Sequence, residues 1–337
     1  MILLCKDGNG NVVGVAPFYL RQEVGNCTIH SLGGGDVCTD YLQILSADGW
    51  ESEVCVAVAK HFAEFCKSHS AVRSQCITID AVENDTPWLR SFQQETAALG
   101  FQNWLQPVMG SFRLTLPQSL DEYVSQLGNS AKRKRKKLTS LSKSGEIAYF
   151  STDDTGDLTT RMCELQRLHQ ARRAVLHQPG CFADTRFEKF LYEAVDLLGY
   201  QGQARIDWCE VNGKTIATHL VLKGTDTLFV YQSGIDPECM KLEPGHLLVI
   251  ATIERAIQNG FGYYDTLRGN EKYKAYWGCQ EILLSRLHCR PPDFLSQVAG
   301  FSHYRFWQLK QAAKRILKTT KSFCSVTTRS ILTENQS

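Results

Sequence analysis

Apolar residues recur at two different spacings along the chain, and these spacings predict a mixed α/β protein. Helical spacing is clear in Glu51–Ser68, whereas CITIDAV and SFRLTL are short apolar runs typical of strands. In the second half, two strand-like runs flank Asn212-Gly213, a dipeptide that favours a tight hairpin turn. The strand TLFVYQSGID, the helix HLLVIATIERAIQNG and the strand YYDTL follow. Because a helix separates these two strands, we expect them to be parallel, with EILLSRLHC closing the same sheet.

Interruptions of this pattern predict two α/β domains and a tail. Pro117 ends a strand pattern, and Ser119 is a good helix N-cap, so we expect one helix that starts there and stops near Gly145. The predicted limits are 1–116 for the first domain, 117–290 for the second, and 291–337 for a basic tail with a helix at 304–318. The chain begins directly on a hairpin strand. We therefore expect the first domain to lack its first elements.

Composition narrows the class of protein. The chain has 337 residues and a formal net charge of +2, so no overall field drives it onto nucleic acid or membrane. Its 13 cysteines are scattered without a CxxC pair, which argues against a zinc ribbon and predicts reduced thiols and no bound metal. No apolar run approaches a membrane span, and no signal-peptide pattern follows Met1. We interpret the protein as cytoplasmic.

One segment is strongly basic, the run KRKRKK at Lys132–Lys137. Alone, such a run suggests nucleic acid, an anionic membrane or nuclear targeting. A solvated helix face is the more common explanation. A third hypothesis is that cations near a cleft attract a phosphorylated or polyanionic substrate.

The start of the helix at Pro244-Gly245 is a candidate anion site. The first N–H groups of a helix have no partner within it, and together with the helix dipole they suit a phosphate. Gly245, His246 and Leu247 are therefore candidates for binding a phosphate-bearing donor. Pro and Gly also serve ordinary turns and caps, which is the alternative explanation.

The order hairpin, strand, Gly-containing loop, helix, strand resembles the GNAT N-acyltransferase fold. More closely, NGKTIATHLVL, YQSGIDPE, PGHLL, AIQNGFGYYDTLRGNEKYK and AYWG are similar to CelD/BcsL-type acetyltransferases, relatives of the FemAB peptidyltransferases. The basic helix and GCFADTRFEKF fit as well. The resemblance implies two GNAT-like domains, a helix that receives the pyrophosphate of acetyl-CoA, and strands that splay to admit the thioester. Of the closely spaced glycines usual at that loop, Gly245 alone is present.

Three residues are candidates for the chemistry. Asp265 could orient the acceptor amine or remove its proton. The alternative is a capping or salt-bridging residue, with Arg268 as the candidate partner. His219 could act as a base through water, or be a satisfied core histidine. Tyr231 could protonate a leaving thiolate, although strand tyrosines more often serve packing.

Further candidates surround the loop after Asp265. Lys274 could bind a donor phosphate or a substrate carboxylate as a point charge, and the alternative is a surface lysine. A lysine recurs at this place in FemAB-like proteins, so the resemblance supports the binding role. Gln232, Arg268 and Glu271 are candidate substrate-binding neighbours.

The leading hypothesis is an acyltransferase that moves an acetyl or acyl group from acyl-CoA to an amine. The resemblance suggests an amino sugar or another cell-envelope or exopolysaccharide precursor as acceptor, with direct attack in a ternary complex. One alternative is a FemAB-like peptidyltransferase that takes its acyl group from aminoacyl-tRNA. Another is a non-catalytic binding module that uses the Lys132–Lys137 helix.

Overall fold

The computed structural model describes residues 1–23, 26–68 and 74–292, with position 309. The chain forms two compact units, each assembled from separate stretches. The first contains Met1–Gly34, Leu42–Gln106 and the described residues from Arg286 onward, and the second contains Gly35–Tyr41 and Pro107–Ser285. The domain limits expected from the sequence stay a prediction. The helix expected at 304–318 lies outside the described residues.

The fold is mixed α/β with two mixed sheets, as the apolar spacing predicts. The strands are β1 (Ile2–Lys6), β2 (Val12–Glu23), β3 (Asn26–Ser31), β4 (Leu45–Ser46), β5 (Ser74–Glu83), β6 (Gln102–Pro107), β7 (Ser111–Thr115), β8 (Ala148–Ser151), β9 (Ala204–Val211), β10 (Lys214–Lys223), β11 (Thr227–Ile235), β12 (Tyr263–Arg268), β13 (Gln280–Ile282) and β14 (Leu284–Arg290). The α-helices are α1 (Glu51–Ser68), α2 (Pro87–Ala98), α3 (Leu120–Gln126), α4 (Asn129–Lys143), α5 (Thr152–Thr155), α6 (Leu158–Val175), α7 (Thr185–Tyr200), α8 (Pro244–Gln258) and α9 (Lys272–Tyr276).

The first sheet has the order β1-β2-β3-β5-β14-β6, with β4 paired to β2. Helix α1 covers it with the apolar face that its sequence predicts, and Val54, Val58 and Phe62 are buried. The Phe62 ring meets the Phe18 ring edge to face at 5.1 Å. This packing gives the first unit its own core, separate from that of the second.

The second sheet has the order β13-β7-β12-β11-β10-β9-β8. The hairpin of β9 and β10 turns at Asn212 and Gly213, both with positive φ, so the predicted hairpin is confirmed. Strands β11 and β12 are parallel, also as predicted, because α8 connects them. Helix α8 packs on this sheet through a face that is almost wholly apolar, with Leu247, Leu248 and Ile253 buried. No helix within the described ranges is long and apolar enough to cross a membrane.

Two predictions about single elements are wrong. The single helix expected from Ser119 to near Gly145 is broken into α3 and α4, because Leu127 and Gly128 are extended. The break allows Leu127 to join the core together with Tyr123 and Ala131. The run EILLSRLHC divides between the two sheets, since β13 pairs with β7 whereas β14 lies between β5 and β6.

Candidate active site

Strands β11 and β12 run side by side for only three residue pairs. The ladder joins Thr227 to Tyr263, Leu228 to Tyr264 and Phe229 to Asp265, and then it stops. Strand β11 nevertheless continues to Ile235 and β12 to Arg268. The two strands therefore separate beyond Phe229. From there on, the backbone N–H and C=O groups along their facing edges no longer pair with each other.

The carboxylate of Asp265 fixes the end of this ladder. It is fully buried and accepts hydrogen bonds from the backbone N–H of Leu267 at 2.7 Å and the Ser111 hydroxyl at 2.9 Å. Arg113 Nε donates to it at 2.9 Å and the Tyr41 hydroxyl at 2.5 Å. Leu267 has a positive φ of 55°, so the chain turns sharply here. Because four donors occupy the carboxylate, the geometry favours the salt-bridging interpretation over a role as base, with Arg113 rather than Arg268 as partner.

Lys274 holds the next part of the loop from inside. Its ammonium group donates to the carbonyl of Leu267 at 2.9 Å and that of Gly269 at 3.4 Å, and it pairs with Glu271 at 3.0 Å. The lysine is 2% exposed, so these contacts replace its hydration. All three of its donors are therefore engaged in shaping the loop, which leaves none for a donor phosphate.

Asp40 completes the set of groups that hold β12 away from β11. Its carboxylate accepts the N–H of Arg268 at 2.6 Å and forms an ion pair with the same residue's guanidinium. Burial raises the pKa of Asp40 to about 6, against the opposing charge of Arg268. Side chains thus satisfy the backbone groups that a neighbouring strand would otherwise pair.

A cavity of about 780 Å³ lies where the strands separate. This volume is within the range of small-molecule sites. All of the candidate residues except Asp265 and Leu247 line it, namely His219, Tyr231, Gln232, Gly245, His246, Arg268, Glu271 and Lys274. Leu247 is instead fully buried in the core beneath α8.

His219 lies on β10, is 4% exposed, and lines this cavity. Its Nδ1 has no hydrogen-bond partner within the described chain. Burial lowers the pKa of its imidazole to about 3, so the ring is neutral near pH 7. An unsatisfied buried polar atom beside a cavity is expected to meet a ligand or water there.

The first turn of α8 offers fewer free donors than its position suggests. Pro244 has no N–H, and the N–H groups of His246 and Leu247 both donate to the carbonyl of Glu243, at 2.9 and 3.2 Å. The N–H of Gly245 has no backbone acceptor in the part of the chain that is described. His246 Nδ1 accepts the indole N–H of Trp277 at 2.9 Å, so its neutral ring carries hydrogen on Nε2. One backbone N–H and one imidazole N–H are therefore available to an anion.

Tyr231 and Gln232 lie on the open edge of β11. The Tyr231 hydroxyl donates to the carbonyl of Val37 at 2.8 Å, and burial raises its pKa well above the ordinary value. The Gln232 amide contacts the thiol of Cys181 at 3.2 Å. Arg268 forms an ion pair with Asp40, and Glu271 forms one with Lys274.

The fold brings several residues to this cavity that are not among the candidates from the sequence. His169, Arg172 and Arg173 come from α6, and Cys181 from the short 3₁₀ turn that precedes α7. Two features of the sequence could have indicated these residues, namely the many Arg and His residues of α6 and the segment GCFAD. Asp40 gave no signal of its own. No group of His, Cys, Asp and Glu in the described ranges could hold a metal ion.

The basic helix α4 has two faces. Lys134 pairs with Glu243 at 2.5 Å, and Arg135 with Glu254 at 2.8 Å, so these two cations tie α4 to α8. Arg133, Lys136 and Lys137 are exposed. The run is therefore partly structural and partly a solvated surface, and its ion-paired face adjoins the N-terminus of α8.

Comparisons with known proteins agree with this architecture. Residues 127–275, which lie in the second unit, match the family model described as an acetyltransferase (GNAT) domain. A search of curated proteins gives no match.

Solved structures show the wider likeness. The structure of FemX is similar with a TM-score of 0.63 and 13% identity, covering 88% of this chain and 89% of that one. A conserved protein of unknown function from Bacteroides thetaiotaomicron has a TM-score of 0.54 and 13% identity, covering 82% and 83%. L-PGS from Bacillus licheniformis has a TM-score of 0.50 and 7% identity, covering 87% and 84%. At these identities the likeness concerns the fold.

The role assigned to Lys274 can be tested by Lys274→Met. Methionine keeps most of the side-chain length but leaves the carbonyls of Leu267 and Gly269 without their donor. We expect the free energy of unfolding to fall by about 1–3 kcal/mol. The matched control is Lys272→Met, an exposed lysine two residues earlier, which should change stability by less than about 0.5 kcal/mol. Equal stability of the two variants in urea unfolding would contradict the assignment.

Burial of His219 predicts a specific loss of stability in acid. Its pKa is about 3 in the folded protein and 6.5 ordinarily, so below about pH 6.5 the unfolded chain binds a proton that the folded chain does not. Between about pH 7 and pH 5 this costs about 2 kcal/mol. His219→Gln should lose that much less stability than the wild type over the same interval, as measured by urea unfolding. His177→Asn, at an exposed position of positive φ, is the control and should behave as the wild type.

Proposed function

We propose that this protein transfers an acyl group from an acyl-CoA to an amine. The observation that supports this best is the separation of β11 and β12 above a cavity of about 780 Å³. Open strand edges can pair with an extended, amide-containing chain such as the pantetheine arm, in the manner of an added strand. The GNAT domain at residues 127–275 supports the same donor.

The donor's anionic part would lie at the N-terminus of α8. The N–H of Gly245 and the Nε2–H of His246 are the donors there, and the helix dipole favours negative charge. Glu243 opposes an anion, but its ion pair with Lys134 neutralises it. This site is modest for a pyrophosphate, so we expect the thioester end and the open strand edge to supply much of the affinity.

The acyl-transfer chemistry needs a polarised carbonyl and a place for the amine's proton. Backbone N–H groups along the separated part of β11 could polarise the carbonyl without reorganisation. For direct attack by the amine, His219 is the candidate proton acceptor, because its neutral ring lines the cavity with a free nitrogen. Asp265, with its carboxylate fully occupied, would instead keep the strands apart so that the reactants can approach.

The acceptor would meet a positively charged wall. Arg172 and Arg173 line the cavity, and Arg173 also donates a hydrogen bond to Gln178 Oε1 at 2.6 Å. An amine that also carries a carboxylate or phosphate would satisfy these two cations. A phosphorylated or nucleotide-linked amino sugar, as in precursors of the cell envelope or of exopolysaccharides, has that chemistry.

Acetyl-CoA binding tests the proposed donor. At about 100 times its Kd, acetyl-CoA should stabilise the protein by about 2.7 kcal/mol. Gly245→Asp should lower the affinity at least about tenfold, because its carboxylate occupies the place of the anion at the N-terminus of α8. The variant should still fold, since an Asp at a helix N-terminus stabilises the helix. Gly128→Asp places the same charge at the start of α4 and should bind normally. Isothermal titration measures both, and a wild type that binds neither acetyl-CoA nor longer acyl-CoAs would overturn the proposal.

The second candidate is an aminoacyl-tRNA-dependent transferase, which the exposed cations of α4 favour. Arg133, Lys136 and Lys137 form a surface free to meet phosphates. Under this alternative aminoacyl-tRNA supports turnover and acetyl-CoA does not. The same surface is the one a purely binding function would use.

Neutralising that surface separates the candidates. The triple variant Arg133→Gln, Lys136→Gln, Lys137→Gln spares the ion pairs of Lys134 and Arg135, so the fold should persist. We expect acetyl-CoA affinity within about twofold of the wild type, since single surface cations contribute little at physiological salt. Tight tRNA binding that disappears in the triple variant, with a salt dependence shallower by about two to three units, would favour the tRNA-dependent alternative. Fluorescence anisotropy at several salt concentrations measures this.

A further inference from the structure

A thiol and an imidazole meet in the wall of the cavity. Cys181 Sγ lies 3.4 Å from His169 Nε2, and His169 Nδ1 lies 3.0 Å from the carbonyl of Ser233. His169 is 3% exposed, and both residues line the cavity. The three groups come from α6, the 3₁₀ turn Cys181–Ala183 and β11, so tertiary packing assembles them.

The contacts determine which nitrogen of His169 carries the proton. A carbonyl can only accept, so Nδ1 donates its hydrogen to Ser233. Burial lowers the pKa of His169, which keeps the ring neutral, and Nε2 is then an acceptor that faces the thiol. Burial raises the pKa of Cys181, so the sulfur rests as a thiol whose hydrogen can point to Nε2. This is the arrangement of a nucleophile, a base and a group that orients the base.

Gln232 adds a donor to the same sulfur. Its Oε1 accepts the N–H of Ser233 at 3.1 Å, which orients the amide so that Nε2 donates to Cys181 Sγ at 3.2 Å. The positive charge of Arg173 also lowers the pKa of Cys181, opposing the larger effect of burial. Both interactions favour a developing thiolate, and neither is needed merely to pack a small apolar side chain.

We propose that Cys181 is a catalytic nucleophile, with His169 as its base, and that the acyl group is carried on Cys181 before it reaches the amine. This inference rests on the proposed acyl-CoA donor and names the route of transfer. Direct attack in a ternary complex, as expected from the sequence, is the competing route.

The two steps balance without any further reactant. As Sγ attacks the donor thioester, its proton passes to His169 Nε2, the Sγ–C bond forms and the donor C–S bond breaks. The leaving thiolate takes the proton from His169 and departs as free thiol. The amine then attacks the Cys181 thioester, the N–C bond forms, the C–Sγ bond breaks, and one amine proton returns through His169 to sulfur. The products are an amide and the CoA thiol.

Trapping the acyl-enzyme tests the proposal without knowledge of the acceptor. Wild-type protein is incubated with acetyl-CoA alone, quenched in acid, and analysed by intact and peptide mass spectrometry. We expect one hydroxylamine-labile acetyl group on Cys181, absent from Cys181→Ala and present in Cys163→Ala, an exposed cysteine on α6. His169→Asn still offers an N–H to Ser233 but lacks Nε2, and should slow formation of the adduct about a hundredfold.

Alkylation by iodoacetamide provides a readout that needs no acyl donor. Near neutral pH, Cys181 should react in the wild type and much more slowly in His169→Asn, whereas Cys163 should react alike in both. Acetyl-CoA that binds but leaves Cys181 unmodified would overturn the covalent route and leave the proposed function standing. Absence of acetyl-CoA binding would overturn the proposed function. In that case, alkylation of Cys181 that does not depend on His169 would overturn the nucleophile–base pair as well.

Discussion

The hydrogen bond from the N–H of Leu267 to the carboxylate of Asp265 is the interaction on which the candidate site depends. In a continuous parallel ladder the backbone groups at this point would pair with β11. The side chains of Asp265, Lys274 and Asp40 satisfy them instead. Strand β12 can therefore separate from β11 without leaving buried polar groups unpaired. The cavity follows from that separation. Ionic groups here shape the backbone, and the groups left to face the cavity are largely neutral.

The charged residues near the loop therefore hold the backbone in place and do not offer free groups to the cavity. Asp265 and Lys274 are the most chemically suggestive residues of the segment, yet both are saturated by internal partners. The groups that face the cavity with unused capacity are two neutral imidazoles, His219 and His246, a thiol with its own base, and the two α6 arginines of its lining, Arg172 and Arg173. Acyl transfer suits such a set, because it requires donors for a carbonyl and acceptors for a proton more than fixed charge.

Local patterns located the part of the site that is contiguous in the chain. Gly245, His246 and Lys274 lie in one stretch of the chain, and the order of elements together with the family resemblance predicted that they are near one another. His169, Cys181 and Asp40 come from an α-helix, a 3₁₀ turn and a loop far away in sequence. No local periodicity reports which remote segments a cavity will bring together, and a single Cys or Asp in such segments has no distinguishing pattern.

Apolar spacing and turn residues alone determined the mixed α/β class, the hairpin at Asn212-Gly213 and the parallel relation of β11 and β12. The helix and strand patterns and the hairpin depend on contacts between residues close in the chain. The parallel pairing follows because a helix connects the two strands. Tertiary structure decided the break at Gly128, the division of β13 from β14 and the partners of Asp265 and Lys274. Each of those depends on which distant partner satisfies a buried group, a competition that is settled only when the whole chain packs.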